Sequence, residues 1–231
     1  MTDPYIYDAL RTPRGKGRKD GALHEVSALS LSVTAIDAIA DRNDLEGHAV
    51  EDVIWGNVTQ VGEQGACLAR TAVLASQLDE SIPGLSINRF CASGLESVNL
   101  AANQLAGGSG DSYIAGGVES MSRTPMMSDG GAVGVDPSFT FDNYFVPQGI
   151  GADIIATEHG FSRDTVDEYA VESQKRAFNA IKNDYFKSQI VNIDIVEKRR
   201  KVVFNNDEHP KETSIQSLSE LQPIFQKDGT V

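Results

Sequence analysis

The sequence predicts an α/β fold built on a largely parallel sheet. The first observation is alternation. Over the first 120 residues, short runs of strand character take turns with amphipathic helical runs, the order that lays helices on parallel strands. The second is composition: 40% hydrophobic and 23% charged residues is an ordinary globular balance, with enough apolar material to build a core. The third is length. A chain of 231 residues makes one or two domains, and its texture changes once, after Ser120.

The elements follow in order. Tyr5–Leu10 reads as a strand. Ser27–Ala40 reads as a helix with Leu29, Val33, Ile36 and Ala40 on one face. Asp52–Gly56 is a short strand, Ala66–Leu78 a second helix and Leu85–Phe90 a third strand. Cys91–Leu105 is a third helix, with Leu95, Val98, Ala102 and Leu105 facing one way. Ser112–Gly117 is a fourth strand. From Met121 to Gly149 the chain is rich in Gly, Pro, Met and aromatics and shows no period, which marks a long functional loop or disorder. A strong helix then starts at Ser162, whose side chain caps it, with Asp164 at its positive end. Its stripe is Val166, Tyr169, Ala170, Ala177 and Ile181. Val191, Ile193 and Ile195 alternate with polar residues as a half-buried strand, and the basic turn 198–201 leads to Val202-Val203-Phe204.

Charge narrows the function. The 20 Lys and Arg against 33 Asp and Glu leave a net charge of −13, a poor basis for binding nucleic acid, whose affinity rests on phosphate attraction. No run approaches the length of a membrane span, and the N-terminus has no basic-then-apolar leader. The two cysteines, Cys67 and Cys91, lie in no metal-ligand spacing, and no metal site is expected. The expectation is a soluble, cytoplasmic protein. The basic run Arg11, Arg14, Lys16, Arg18 and Lys19 reads as a solvated turn, although cations can also attract phosphates.

The informative stretch is Asn88-Arg89-Phe90-Cys91-Ala92-Ser93-Gly94-Leu95. It sets a cysteine where a strand hands over to a helix, facing N–H groups that have no partner inside the helix and the positive end of its dipole. A thiolate is stabilised there, and Ser93 and Gly94 keep the first turn small enough for a substrate to reach sulfur. A buried, inert Cys91 is the competing reading.

Asn-Arg-Phe-Cys-Ala-Ser-Gly-Leu at 88–95 resembles the nucleophile motif of the thiolases, the 3-ketoacyl-CoA thiolases and acetyl-CoA acetyltransferases. Gly116-Gly117-Val118-Glu119-Ser120-Met121-Ser122 resembles the family's Gly-Gly-x-Glu-Ser-Met-Ser signature. Arg11-Thr12-Pro13 is similar to its opening, Ser162-Arg163-Asp164 with Asp167, Tyr169-Ala170 and Ser173 to a helix of its loop domain, and Leu221–Phe225 with Asp228–Val231 to the segment before its second half. Five motifs agree in order along the chain. The resemblance implies the N-terminal half of a thiolase-like fold: a mixed, mostly parallel sheet with helices on both faces over residues 1–120, plus an α/β loop domain over 121–231 that covers the coenzyme A site.

The resemblance also implies a chemistry. Cys91 attacks the keto carbon of a 3-ketoacyl-CoA and carries the acyl group, its backbone N–H contributing to an oxyanion hole. Coenzyme A is a substrate and no cofactor is held permanently. Acyl-CoA and CoA are the partners, lipid metabolism such as fatty acid β-oxidation the setting, and a homodimer or higher oligomer the expected assembly. The family's other groups sit in Gly-His-Pro, Cys-x-Gly and Asn-Glu-Ala-Phe motifs, and none occurs in these 231 residues. His24, His48, His159 and His209 read as surface or loop residues, and Cys67 is not the family's second cysteine. The expectation is therefore a half without its C-terminal thiolase domain, inactive alone. The alternative is a non-catalytic CoA- or partner-binding subunit of a split thiolase; a third reading, a related condensing enzyme, fits the signature less well.

Two departures concern the substrate. Pro147-Gln148-Gly149 stands where many relatives have His-Met-Gly, so Gln148 and Gly149 fall at the acyl-pantetheine region. Lys211 stands where relatives often place an arginine near the CoA nucleotide and would meet phosphate as a point charge, or else be a solvated lysine. Met121, Met126 and Met127 either line an acyl tunnel or fill gaps.

Overall fold

The computed structural model describes residues 3–45, 49–197 and 200–231. They form two compact units, residues 1–129 with 188–209, and residues 130–187 with 210–231.

The first unit contains α1 (Ala28–Arg42), β1 (Asp52–Gly56), α2 (Leu68–Ala75), β2 (Gly84–Ile87), α3 (Ser93–Gly107) and β3 (Tyr113–Gly117). Ser27 caps α1 by accepting the Ser30 N–H, which satisfies one of the donors a helix start leaves open. Strand β1 lies between β2 and β3 and pairs with both in parallel, Trp55 standing opposite Ser86 and Gly116. Successive strand residues face opposite sides, and each side of β1 meets a helix. Trp55 donates from Nε1 to Ser32 Oγ of α1 at 3.1 Å. Gly56 lies on the other side, against the start of α3: a Cβ there would come 2.6 Å from the Ser93 carbonyl carbon. Helices therefore cover both faces, as expected, and Val53 and Ile54 are fully buried in the manner of parallel sheets.

The main core joins Ile36, Val53, Trp55, Ala69, Val73 and Ile114; full burial of a side chain such as Ile36 contributes about 1.5–3 kcal/mol. A second cluster brings Leu23 and Leu31 against Ile193 and Ile195. The isoleucines belong to β4 (Ile193–Glu197), antiparallel to β5 (Arg200–Phe204). This burial is why residues 188–209 join the first unit, although they lie inside the stretch 121–231 read as loop domain.

The second unit is helical: α4 (Ala132–Val135), α5 (Pro137–Asp142), α6 (Gln148–His159), α7 (Arg163–Lys182) and α8 (Ile215–Ser219). Among its described residues only Asp153, Ala156 and Asp167 are buried. Polar clips hold it. Arg163 pairs with Asp167 at 2.9 Å and donates to Leu218 O at 2.6 Å, joining α7 to α8. Asp153 Oδ1 accepts the backbone N–H groups of Thr230 and Val231 at 2.6 and 3.0 Å.

Several expectations are corrected. Tyr5–Leu10 forms no strand; Tyr5, Ile6 and Tyr7 are exposed, and only Arg11 bridges, to Ile190. An apolar, aromatic run makes a strand only beside a ladder partner. The third strand ends at Ile87, three residues short of Phe90, and its helix begins at Ser93 rather than Cys91. The buried face of α3 is Ser93, Ser97 and Ala101, while Leu95 is 65% exposed: α3 lies so close to the sheet, with Ser97 Oγ 2.8 Å from Gly116 O, that only small residues fit. The second helix is shorter than 66–78. Tyr169, placed on the buried stripe of α7, is exposed. The segment read as unpatterned holds α4, α5 and the start of α6. The turn residues Lys198 and Arg199, and His48, lie outside the described residues. No helix among the described residues is long and apolar enough to cross a membrane.

The basic run after residue 10 is fixed by acids. Arg11 holds Asp207 with two bonds of 2.8 and 2.9 Å, and the Arg14 N–H donates to the same carboxylate. Glu208 accepts the N–H groups of Lys16 and Ala22. Burial pushes the Asp207 carboxyl up, but Arg11 and the Arg14 N–H outweigh it and hold it below its ordinary 3.8. A depressed carboxylate stabilises the fold above its unfolded value, and that contribution is lost as pH falls through the lower folded value. Asp207→Asn should therefore cost about 1–3 kcal/mol at neutral pH, measured by urea unfolding. Its deficit against the unsubstituted chain should shrink once pH drops below 3.8.

Candidate functional site

Cys91 is exposed and unpaired. It follows the turn that leaves β2 and immediately precedes Ala92, the N-cap of α3. The turn is held locally. Asn88 Oδ1 accepts the Phe90 N–H at 2.8 Å. Ser93 Oγ accepts the Arg89 N–H at 2.8 Å and donates to Phe90 O at 2.6 Å. Phe90, one residue before the thiol, has φ +48°, in the left-handed region a side chain with a Cβ seldom enters. Beside Gly94, a Cβ would meet nothing within 4 Å, so the first turn of α3 is open to an approaching molecule. Arg89 pairs with Glu96 at 2.9 Å, an exposed ion pair of small energetic weight.

Behind this turn lies a polar network that the sequence reading missed. Glu119, just past β3, accepts four N–H groups. The Val58 N–H reaches Oε2 at 2.8 Å and Asn57 Nδ2 at 3.4 Å. Gln64 Nε2 reaches Oε1 at 2.8 Å and the Thr59 N–H at 3.3 Å. Gln64 accepts the Ser120 N–H at 2.6 Å, and Gln64 and Asn57 are 0% and 1% exposed. A carboxylate inside the Gly-Gly-x-Glu motif, beside a run rich in amides and a threonine that follows strand β1 directly (Asn57, Thr59, Gln60 and Gln64), is the signal that would have exposed it.

Cys67 sits elsewhere, as the N-cap of α2. Its Sγ lies 3.2 Å from Gly84 O and 3.8 Å from Ser86 Oγ. Burial pushes this thiol up, but the Arg70 N–H and the hydroxyl and backbone of Ser86 together hold it below its ordinary value.

Cys91 belongs to the first unit; Gln148, Gly149 and Lys211 belong to the second. Gln148 is exposed as the first residue of α6. Gly149 is covered by the Phe225 ring, with no room for a Cβ. Lys211 is exposed, and its backbone N–H donates to Gln174 Oε1 at 2.9 Å. The described histidines are His24, His159 and His209. His24 lies in a turn with its carbonyl bonded to Arg123, His159 ends α6 beside Phe161, and His209 is exposed. Among the described residues, no three His, Cys, Asp or Glu side chains gather in a metal-binding group.

A free thiol at the head of a helix, carried by a parallel sheet sandwiched between helices, defines a class. Residues 5–231 match the family described as thiolase, N-terminal domain, and the chain belongs to that family. It is 36% identical to an acetyl-CoA acetyltransferase of Escherichia coli (strain K12) over 245 residues, covering 100% of this chain and 61% of that protein. It is also 36% identical to an acetyl-CoA acetyltransferase of Yarrowia lipolytica, covering 98% and 59%, and to a probable acetyl-CoA acyltransferase of Staphylococcus aureus (strain COL), covering 100% and 62%. The crystal structure of the Bacillus anthracis acetyl-CoA acetyltransferase superposes with a TM-score of 0.86 at 32% identity, covering 100% of this chain and 61% of that one, so the fold is thiolase-like. The chain spans about three fifths of the length of these relatives.

The close approach of Gly56 to Ser93 gives a direct test of the site's support. Gly56→Ala should push the head of α3 away from β1, because the 2.6 Å contact is with backbone that cannot rotate aside. A loss of about 1–3 kcal/mol, the usual range for overpacking, is expected in urea unfolding, and an unchanged midpoint would show that α3 is free to move.

Proposed function

We propose that this chain supplies the nucleophile of an acyl-CoA:acetyl-CoA C-acyltransferase. The observation that carries the reading is an exposed, unpaired Cys91 immediately before the N-cap of α3, in a chain of the thiolase family. Relatives named acetyl-CoA acetyltransferase support it. In the cleavage direction the Cys91 thiolate adds to the keto carbon of a 3-ketoacyl-CoA, and the carbonyl electrons move to oxygen. When they return, the Cα–Cβ bond breaks, the departing acetyl-CoA carbon takes a proton, and the acyl group stays on Sγ as a thioester. The thiol of a second CoA then collects it, giving its proton back to the enzyme. The reverse sequence condenses two acyl-CoA molecules.

In this proposal Gln148 and Gly149 lie along the acyl-pantetheine arm and Lys211 meets a phosphate of the nucleotide. The stretch 121–231 acts as the loop domain over the coenzyme. The setting is cytoplasmic lipid metabolism, and the working form is a dimer or higher oligomer, two-fold pairing being the commonest. The base and second cysteine of the family's motifs are not among these 231 residues, and groups that act as a unit lose nearly all of their effect when one is missing. The 231-residue chain taken alone is thus expected to form the acyl thioester at best and to turn over negligibly.

Two measurements on the purified chain test this. Incubation with acetyl-CoA or a 3-ketoacyl-CoA should leave an acyl adduct on Cys91 in the intact mass, absent in Cys91→Ala. An adduct on Cys67 instead, or none together with retained coenzyme binding, points to the non-catalytic binding subunit. Cleavage of acetoacetyl-CoA by the chain alone should stay at background; a rate abolished by Cys91→Ala would contradict the dependence on further groups.

A further inference from the structure

The residue before Cys91 is in a conformation that needs holding. Phe90 has φ +48°, where glycine sits at no steric cost and phenylalanine does not. No glycine is used at 90, so neighbouring groups must hold the peptide. The described bonds form one continuous path. The Phe90 N–H donates to Asn88 Oδ1 at 2.8 Å. Asn88 Nδ2 donates in turn to Val58 O at 3.1 Å. The N–H of the same Val58 donates to Glu119 Oε2 at 2.8 Å. Glu119 is tied beyond that to Asn57, Thr59 and Gln64. A carboxylate at the end of β3 is thereby connected, through one backbone residue and one amide side chain, to the peptide that presents Cys91.

We propose that Asn88 and Glu119 are positioning residues for Cys91. They hold the Phe90 peptide left-handed and so keep the thiol aligned with the N–H groups that open α3. The proposal rests on the reading of Cys91 as the nucleophile. Asn88 is exposed and contributes little to any core; one end of its amide accepts from the turn and the other donates to Val58 O. Glu119 gives its charge to backbone and side-chain N–H groups of residues 57–64, so its effect on Cys91 passes through Val58.

The test is iodoacetamide alkylation of the purified chain, with Cys91 and Cys67 followed separately by peptide mass spectrometry. Cys67 lies on α2, outside the path, and reports any general loosening within the same molecules. Asn88→Ala should slow alkylation of Cys91 by about threefold to tenfold, the effect of losing one intramolecular hydrogen bond, and leave Cys67 unchanged. Adding Phe90→Gly to Asn88→Ala should restore the Cys91 rate, since glycine takes the left-handed geometry unaided. Glu119→Gln should slow Cys91 in the same sense; if that protein does not fold, the Asn88 pair decides alone. The proposal is overturned if Cys91 reacts at the original rate or faster in Asn88→Ala, if both thiols change together, or if Phe90→Gly brings no recovery. A failure of the nucleophile reading shows itself differently, as no acyl adduct on Cys91 in the unsubstituted chain, whatever the alkylation rates.

Discussion

Strand β1 is bonded along both edges and covered on both faces, and the rest of the first unit is arranged around that constraint. Its neighbouring residues Trp55 and Gly56 divide the work. The indole fills the space toward α1 and α2, and it needs Gly116 opposite because a Cβ there would come 2.6 Å from the ring. Gly56, lacking a side chain, lets the head of α3 approach the sheet. One face is thus packed by bulk and the other by close contact. Cys91 directly precedes the N-cap of α3, the helix whose head makes that close contact.

This division explains why the polar network is buried. At the C-terminal end of the sheet, β1 and β3 run into loops whose N–H groups have left the ladder. Buried N–H groups need partners, and Glu119 supplies one acceptor site after another to residues 57–64. The arrangement follows the general habit of α/β sheets, which place their chemistry beyond the carboxyl ends of the strands.

The sequence showed much of this frame. Strand Asp52–Gly56 and helices starting after Ser27 and Ser162 were legible because each depends on local signals: a run of β-branched and aromatic residues, an apolar stripe at helical spacing, or, at Ser162, a serine cap that accepts an N–H three residues on. Cys91 was legible from its place between a strand and a helix. Helix α6 was not, because Gly149, Gly151 and the pair Ile154-Ile155 lower helix propensity and tertiary bonding by Asp153 overrides it. The face of α3 was misjudged because a hydrophobic stripe assumes a neighbour at ordinary distance, and Gly56 removes that distance. The hold on Phe90 could not be read at all, since Asn88 finds Val58 across 30 residues of chain. The place of β4 could not be read for the same reason: Ile193 and Ile195 look like any half-buried strand until Leu23 and Leu31 are placed beside them.

The return of residues 188–209 to the first unit has a bearing on biosynthesis. Arg11 and its partner Asp207 are separated by 196 positions, so the first unit cannot close until residues 188–209 have been made. At a synthesis rate of about 5–20 residues per second, roughly 10–40 s pass between the two residues leaving the ribosome's catalytic centre. Through that interval Leu23 and Leu31 have no cover from Ile193 and Ile195 of β4.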